Sequence, residues 1–350
     1  MAFAAIELND AALSLARDGV LLARIPGFVL VDGDRLSVGD EAQSRARLEP
    51  RMVSSRFWER LGDESVLPGG AGLRNADLAR AHLAHAWQSA GADVEGLVIA
   101  VPGDFDRMRL GLVLGIAAQL ELPGCAMVDS ALPACLATRD TSLVVHVGMY
   151  LHRSVVSVVE LGERACRIAC RSLDGFGTIG VYERLIDRVR DRFVSSSRFD
   201  PLHRAESEQA IYDRLPGWVE LLNVRDSITI EIQAADARAF RIEFSRELVV
   251  DCARDLHAAL GRAVRESSGD RSFTLVLDAE AARLPGLARH LASAGCEDVV
   301  TLSPGACAVA ASSRAARIFE ESRANVLAVS LERDVSTASD DAPAGAELTG

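Results

Sequence analysis

The sequence predicts a mixed α/β fold made of two similar halves that face each other across a cleft. Three observations carry this. The chain has 350 residues, more than the roughly 100–200 of a usual single domain. Apolar residues make up 49% and charged residues 25%, enough for ample cores. One series of elements, three meandering strands followed by helix, strand, helix, strand and helix, can be read along the chain twice.

The first series opens with short β-rich runs at residues 3–8 (FAAIEL), 12–17 (ALSLAR) and 20–31, separated by the turn residues Asn9-Asp10, Asp18-Gly19 and Pro26-Gly27. An amphipathic helix is expected from an Asn75 cap to Gly91, with Leu78, Leu83, Ala86, Trp87 and Ala90 as its apolar residues. An apolar strand over Leu97 to Val101, a helix from about Asp104 to Gln119, a strand over Cys125 to Val128 and a short helix reaching Ala137 complete this half.

The second series begins at Ser142 with LVVHV, SVVSVVEL and ACRIACRSL, then a helix over roughly 178–193 and a polar insertion over about 195–225. A hairpin follows (SITIEIQ, a turn at Ala235-Asp236-Ala237, then FRIEF) and leads into a helix capped by Ser245 and ended by Gly269. Strand SFTLVLD, a helix across Leu284 to Ala294, strand DVVTL and a helix after Pro304 close the series. The expected division is 1–140, completed by a C-terminal helix at about 304–320, and 141–303. The segment 331–350 is small, polar and acidic without periodicity, and is expected to be disordered. In such an architecture ligands sit at the strand ends between the halves.

Composition narrows the chemistry. All 38 basic residues are arginine, so neither a phosphate-loop lysine nor a Schiff base can operate. The net charge of −12, with arginines scattered among acids, argues against a nucleic-acid partner. The longest apolar run, Leu110 to Leu120, is glycine-interrupted and shorter than the ~18–20 residues that span a bilayer, so no membrane insertion is expected. The N-terminus lacks a basic region and a cleavage site, which leads to the expectation of a cytoplasmic protein.

Other candidate sites are thin. The seven cysteines form no CxxC pair; Cys166 and Cys170, four apart in a strand-like segment, are expected to share a face, but two ligands do not make a zinc site. His82 and His85 lie three apart on one helix and suggest a surface or interface role rather than a metal site. Ser154 and Ser157 lack the G-x-S-x-G context of a hydrolase. Residues 175–180 match GxGxxG before a helix, a weak signal read as structural. Arg153, Arg164, Arg167 and Arg171 cluster about the second meander, as a solvated face or a surface for an acidic protein.

Residues 97–137 (LVIAVPGDFDRMRLGLVLGIAAQLELPGCAMVDSALPACLA) resemble the segment of DnaK-type, seventy-kilodalton heat-shock chaperones in which a strand ending in V-P precedes an aromatic, a long helix and an N-E-P-T-A-A connection. RFWERLG at 56–62 is similar to the family's F-x-x-K-R-L-I-G, and VYERLIDRVRDRF at 181–193 to its F-D-x-R-L-V-x-x-x-x-x-x-F. LPGLARHLASAG and SPGACAVAA look like the closing strand-helix and last helix. The resemblance covers about residues 3–320. It implies an actin/DnaK-like ATPase-domain fold, with two duplicated, ribonuclease-H-like α/β lobes around a central cleft and no substrate-binding domain after them. Residues 326–329 (VLAV) are similar to the family's interdomain linker, or form a final packed segment.

The family's ATP-holding motifs are where this chain departs. For the first phosphate loop, D-L-G-T-T, the chain has Glu7-Leu8-Asn9-Asp10-Ala11, so Asp10 places negative charge where phosphate would lie. For the second, D-L-G-G-G-T, it has His146-Val147-Gly148-Met149-Tyr150-Leu151, with Met149 and Tyr150 expected to project into phosphate space. The N-E-P-T-A-A carboxylate falls on Ser130, beside Asp129 as a displaced acid. The adenosine motif G-G-x-T-R-x-P aligns with Ala279-Glu280-Ala281-Ala282-Arg283-Leu284-Pro285, without its glycines. Gly177 falls in the glycine-rich turn by the adenosine site. Two unit charges near 4 Å at an effective dielectric of ~20 interact by about 4 kcal/mol, so Asp10 turns attraction for phosphate into repulsion.

The resemblance and the departures together imply a pseudo-ATPase that binds other proteins or regulates an assembly, with no cofactor, no metal and no catalytic residue expected. The vestigial cleft would comprise Glu7, Asn9, Asp10, Asp129, His146, Gly148, Met149, Tyr150, Gly177, Ala279, Glu280 and Arg283. One alternative is a divergent chaperone-like ATPase that takes ATP and magnesium through Glu7, Asp129 and Gly177. The other is an actin-like polymerising protein, with homo-oligomers among its forms.

Overall fold

Both halves begin with a meander and end by adding parallel strands to its first member. The computed structural model describes residues 2–63, 72–91, 93–136, 138, 141–234, 238–322 and 327–333. In the first half β1 (Phe3–Glu7), β2 (Leu13–Arg17) and β3 (Val20–Ile25) form the meander. A small antiparallel sheet follows, β4 (Val29–Asp32), β5 (Arg35–Val38) and, after the short α1 (Asp40–Gln43), β6 (Val53–Ser54). Then come α2 (Asn75–Trp87), β7 (Gly96–Val101), α3 (Arg107–Gln119), β8 (Gly124–Asp129) and α4 (Ala131–Cys135).

The second half repeats the pattern. Its meander is β9 (Leu143–Met149), β10 (Arg153–Leu161) and β11 (Arg164–Asp174). Next are α5 (Thr178–Ser197), α6 (Ala205–Leu221), and the hairpin β12 (Ser227–Gln233) and β13 (Ala239–Ser245). Helices α7 (Arg246–Cys252) and α8 (Arg254–Ser268), strand β14 (Phe273–Leu277), helices α9 (Ala279–Arg283) and α10 (Leu287–Ala292), and β15 (Cys296–Thr301) follow. The chain ends with α11 (Ala306–Ser313), α12 (Ala315–Ser322) and β16 (Ser330–Glu332).

The two large sheets have one strand order. The first reads β3-β2-β1-β7-β8 and the second β11-β10-β9-β14-β15, with β16 on the outer edge of β11. In each, the meander pairs are antiparallel and the two added strands run parallel to the first. The strands that join in parallel, β7 and β14, are buried along their whole length, as strands covered on both faces must be.

Three apolar layers result. One lies between the first sheet and α2 and α3, with Leu78, Leu83, Ile99 and Val113. The middle one lies between the sheets, where Val98, Val128, Val144 and Val276 meet α4, α11 and α12. The last joins the second sheet to α5, α6 and α8. Phe28, Leu30 and Ala42 belong to this last layer and Val29 and Val31 of the same strand to the first, so the small sheet packs one face on each half.

Several expectations are corrected. The run 20–31 is two strands, divided at the Pro26-Gly27 turn, where Gly27 packs so close to the Asp10 carbonyl that a Cβ would overlap it. Asn75 does not cap α2: it lies inside the helix, and the Asp77 carboxylate accepts the Arg74 N–H instead. The insertion 195–225 holds α6, whose buried stripe Ile211, Leu215 and Val219 is masked in sequence by Pro216, Gly217 and many charges. The helix expected between Ser245 and Gly269 divides at Ala253 into α7 and α8. Cys166 pairs across with Glu160, and Cys170 with Ser157. A register shift in that ladder therefore puts the two cysteines on opposite faces, since Ser157 and Glu160 are three apart on β10.

The segment after α12 is a packed strap. Ala328 bridges Val128 in parallel at the edge of the first sheet, and Ser330–Glu332 pairs with Arg164–Cys166 at the edge of the second. Leu331 is 1% exposed, so the start of the expected disordered tail is ordered; residues 334–350 lie outside the described residues, as do Ala137 and the turn 235–237. Among the described residues no helix is long and apolar enough to cross a membrane.

Candidate functional site

The carboxyl ends of the parallel strands converge between the two sheets, where the turns after β1 and β9 interlock. Asn9 forms a local turn by accepting the Ala11 N–H at 2.9 Å, and its Nδ2 donates to the Met149 carbonyl at 3.2 Å. Asp10 accepts the Leu151 N–H at 2.7 Å. Asp278, at the end of β14 and the N-cap of α9, accepts the Met149 N–H and the Ala281 N–H, each at 2.7 Å, and lies 3.5 Å from Asn9 Nδ2. The Ala11, Met149 and Leu151 amides are thereby spent on the chain's own side chains.

Beside this knot Arg153 is buried, 2% exposed. Its Nε donates to Asp104 at 2.7 Å, its Nη1 faces Asp10 at 3.6 Å, and its guanidinium lies 4.4 Å from the Tyr150 ring centroid. Asp104 follows β7 of the first sheet and Arg153 opens β10 of the second, so the pair ties the sheets together. Arg24 of β3 makes a second tie, to Glu280 at 3.1 Å, and Arg283 closes on the same carboxylate at 2.5 Å. A third joins Ser55 Oγ and His152 Nε2 at 3.0 Å.

Burial dominates the titration of these groups. It pushes the Glu7 carboxyl up to about 7 against the opposing pull of Arg24, and Asp10 up to about 6 against Arg153. Asp278 is pushed up to about 8 although two backbone donors favour its ionised form. Burial also lowers His146 to about 4, so it is neutral near pH 7.

What remains open is a cavity of about 20 Å³, lined among others by Glu7, Asn9, Arg24, His146, Asp278 and Glu280. That is room for about one water.

Of the residues singled out in sequence, Glu7, Asn9, His146, Ala279 and Glu280 meet at this cavity. Gly148 lies beside His146 and Tyr150, and Tyr150 lies under Arg153. Met149 does not project into the cleft. Alternation along β9 sends Leu143, Val145, Val147 and Met149 into the apolar layer, so it is the Met149 backbone that reaches the site. Asp129 does not line this cavity: it accepts the Ala131 N–H and pairs with Arg167 at 2.5 Å. Gly177 packs on the Leu151 and His152 backbone, where a Cβ would overlap the Leu151 carbonyl.

The four arginines of the second meander do not form one face. Arg153 is buried in the cleft, Arg167 is held by Asp129, Arg164 by Glu321 and Arg171 by Glu266. His82 is buried rather than at the surface. It accepts the Trp58 indole N–H on Nδ1 at 2.9 Å, and its Nε2 lies 3.1 Å from the Ile25 carbonyl. Among the described residues no group of three or more His, Cys, Asp or Glu could hold a metal.

Sequence reasoning missed Asp278, Arg24 and Asp104, and placed Arg153 on an outer face rather than in the cleft. Asp278 had a signal, an acid closing the apolar strand SFTLVLD ahead of a helix. No family model matches the chain, and no curated protein matches it.

Proposed function

We propose that this chain is a catalytically silent relative of the DnaK/actin nucleotide-binding domain, acting as a protein-binding or assembly-regulating module. The repeated strand order supports the family reading, since both sheets join a three-strand meander to two parallel strands and α11 and α12 return to the first sheet. The observation that carries the pseudo-ATPase reading is the filled cleft. The amides of Met149 and Leu151 are bonded to Asp278 and Asp10, and only about 20 Å³ is open.

Magnesium and a nucleotide triphosphate do not fit these residues. The phosphate space is taken by side chains, there is no lysine, and Asp129 is engaged by Arg167. The partners are then proteins, bound through outer surfaces while the cleft serves as a brace. Titration calorimetry with Mg-ATP and Mg-ADP is expected to give no affinity tighter than about millimolar. Micromolar binding would remove the proposal and favour a divergent ATPase.

A further inference from the structure

A second open space lies away from the cleft. It is a groove of about 910 Å³ between the β12 edge, at Glu231 to Ala234, and the wall formed by the end of α5 and the start of α6. The β12–β13 hairpin is a two-stranded sheet, so the outer side of β12 has no neighbouring strand. The Ala234 N–H donates to the Arg238 carbonyl, which makes the even-numbered residues of β12 the hydrogen-bonded partners of β13. The N–H and C=O groups of Thr229, Glu231 and Gln233 therefore point outward, and none has a main-chain partner among the described residues.

The facing wall keeps a small positive excess once its internal pair, Arg204 with Glu206, is set aside: Arg198 and Arg214 stand against the one carboxylate of Asp200, which accepts the Leu202 N–H, while Glu231 of the strand is held by Arg241. The Arg198 guanidinium has no hydrogen-bond or ion-pair partner among the described residues, and Arg214 reaches only the outward Glu231 carbonyl, at 3.4 Å. Phe199 gives the groove an apolar anchor. It is stacked on Phe240 at 4.4 Å and set edge-on to Phe193 at 5.9 Å, so its position is fixed.

We infer that this groove docks an extended acidic segment of a partner protein, which adds as a strand to β12 and places its carboxylates on Arg198 and Arg214. An unpaired strand edge supplies main-chain hydrogen bonds of any sequence, and the arginines supply the choice of acidic side chains. Arg214 covers the Glu231 carbonyl in the free protein, as edge strands commonly carry charge that keeps other chains away. A carboxylate draws that guanidinium aside and frees the edge. The inference rests on the protein-binding role proposed above but not on the state of the cleft, so nucleotide and peptide titrations fail independently.

The test uses the full chain and two fluorescein-labelled hexapeptides, one alternating glutamate and valine, the other lysine and valine. Fluorescence anisotropy should show the acidic peptide binding about tenfold or more tighter, and R198E/R214E should abolish that preference. Q233P removes an outward N–H that β13 does not use, and should weaken the acidic peptide about tenfold. Each variant is accepted only if its circular dichroism and melting curve match the parent; should Q233P not fold, an acidic peptide N-methylated at alternate residues replaces it and should bind about tenfold more weakly. Equal binding of both peptides, no binding of either, or retained binding after charge reversal would overturn the inference. So would full affinity with the outward hydrogen bonds removed, since the segment would then dock through side chains alone.

Discussion

Replacing Arg153 by methionine should expose how the cleft is held shut. Arg153 and Asp10 face each other at 3.6 Å with side-chain exposures of 3% and 1%, and at an effective dielectric of ~20 two unit charges at that distance attract by about 5 kcal/mol. Asp104 can rehydrate when the guanidinium is gone, because it lies nearer the surface at 10%. Asp10 cannot, and can only take up a proton. Its carboxyl is already raised to about 6 with Arg153 present, so the penalty is small at pH 6 and grows by about 1.4 kcal/mol per pH unit above it. With the lost packing on Tyr150, the deficit at pH 8 should be about 3–5 kcal/mol. At about 2.1 cal/mol/K per residue for 350 residues, that lowers Tm by roughly 4–7 °C. Calorimetric melting of the parent, R153M, D10N and the double variant at pH 6 and pH 8 measures it. D10N should recover much of the pH 8 loss in the R153M background. Strictly additive losses, or R153M melting within about 1 °C of the parent at pH 8, would refute the reasoning.

Three further outcomes are expected. Stability should fall between pH 6.5 and 8: Glu7 and Asp278 keep protons in the folded state, up to about 7 and 8, that the unfolded chain has released. The lowered histidines His82, His146, His152 and His257 offset about 1.5 kcal/mol of this, because the unfolded chain still holds protons on them at pH 6.5, so calorimetry should show a net loss of about 1 kcal/mol, and a rise in Tm over that window would contradict it. Leu331→Ala should cost about 2–4 kcal/mol by denaturant unfolding, since the strap side chain is fully packed between the sheets, whereas a loose terminus would show no change. Gly177→Ala should destabilise by at least about 2 kcal/mol, because its Cβ overlaps the Leu151 carbonyl; an unchanged melting temperature would mean that the two turns are not packed as described.

The meanders and parallel strands were legible because apolar runs such as Leu97 to Val101 and Phe273 to Leu277 need no long-range information to declare burial. Glu7, Asn9, His146 and Glu280 were expected together through the resemblance to the phosphate and adenosine motifs, and the structure gathers them at strand ends. Partner choice was not legible. Arg153 is one of four arginines in a polar-looking meander, and nothing local separates the one buried between Asp10 and Asp104 from those on the surface. Met149 was misplaced for a related reason: a turn residue read by motif points to the cleft, but the period of two along β9 assigns its side chain to the core. The α6 helix was hidden by Pro216, which its neighbours tolerate because the apolar stripe Ile211, Leu215 and Val219 is anchored by tertiary packing rather than propensity.

The cleft also changes why a phosphate would be refused. A free Asp10 would repel it by Coulomb force, an effect that salt screens and that one substitution could reverse. The carboxylate is instead bonded to the Leu151 amide and faced by Arg153, so its charge is largely answered within the protein. Refusal then rests on volume and on spent donors, since Asp278, Asn9 and Asp10 already hold the groups of the two turns. D10N alone should therefore leave calorimetry with Mg-ATP silent. Opening the site would need the interlock of Asn9, Asp278 and Met149 to break together with the arginine ties, and a single charge-neutralising variant that bound nucleotide at micromolar concentration would show that electrostatics, not packing, keeps the cleft closed.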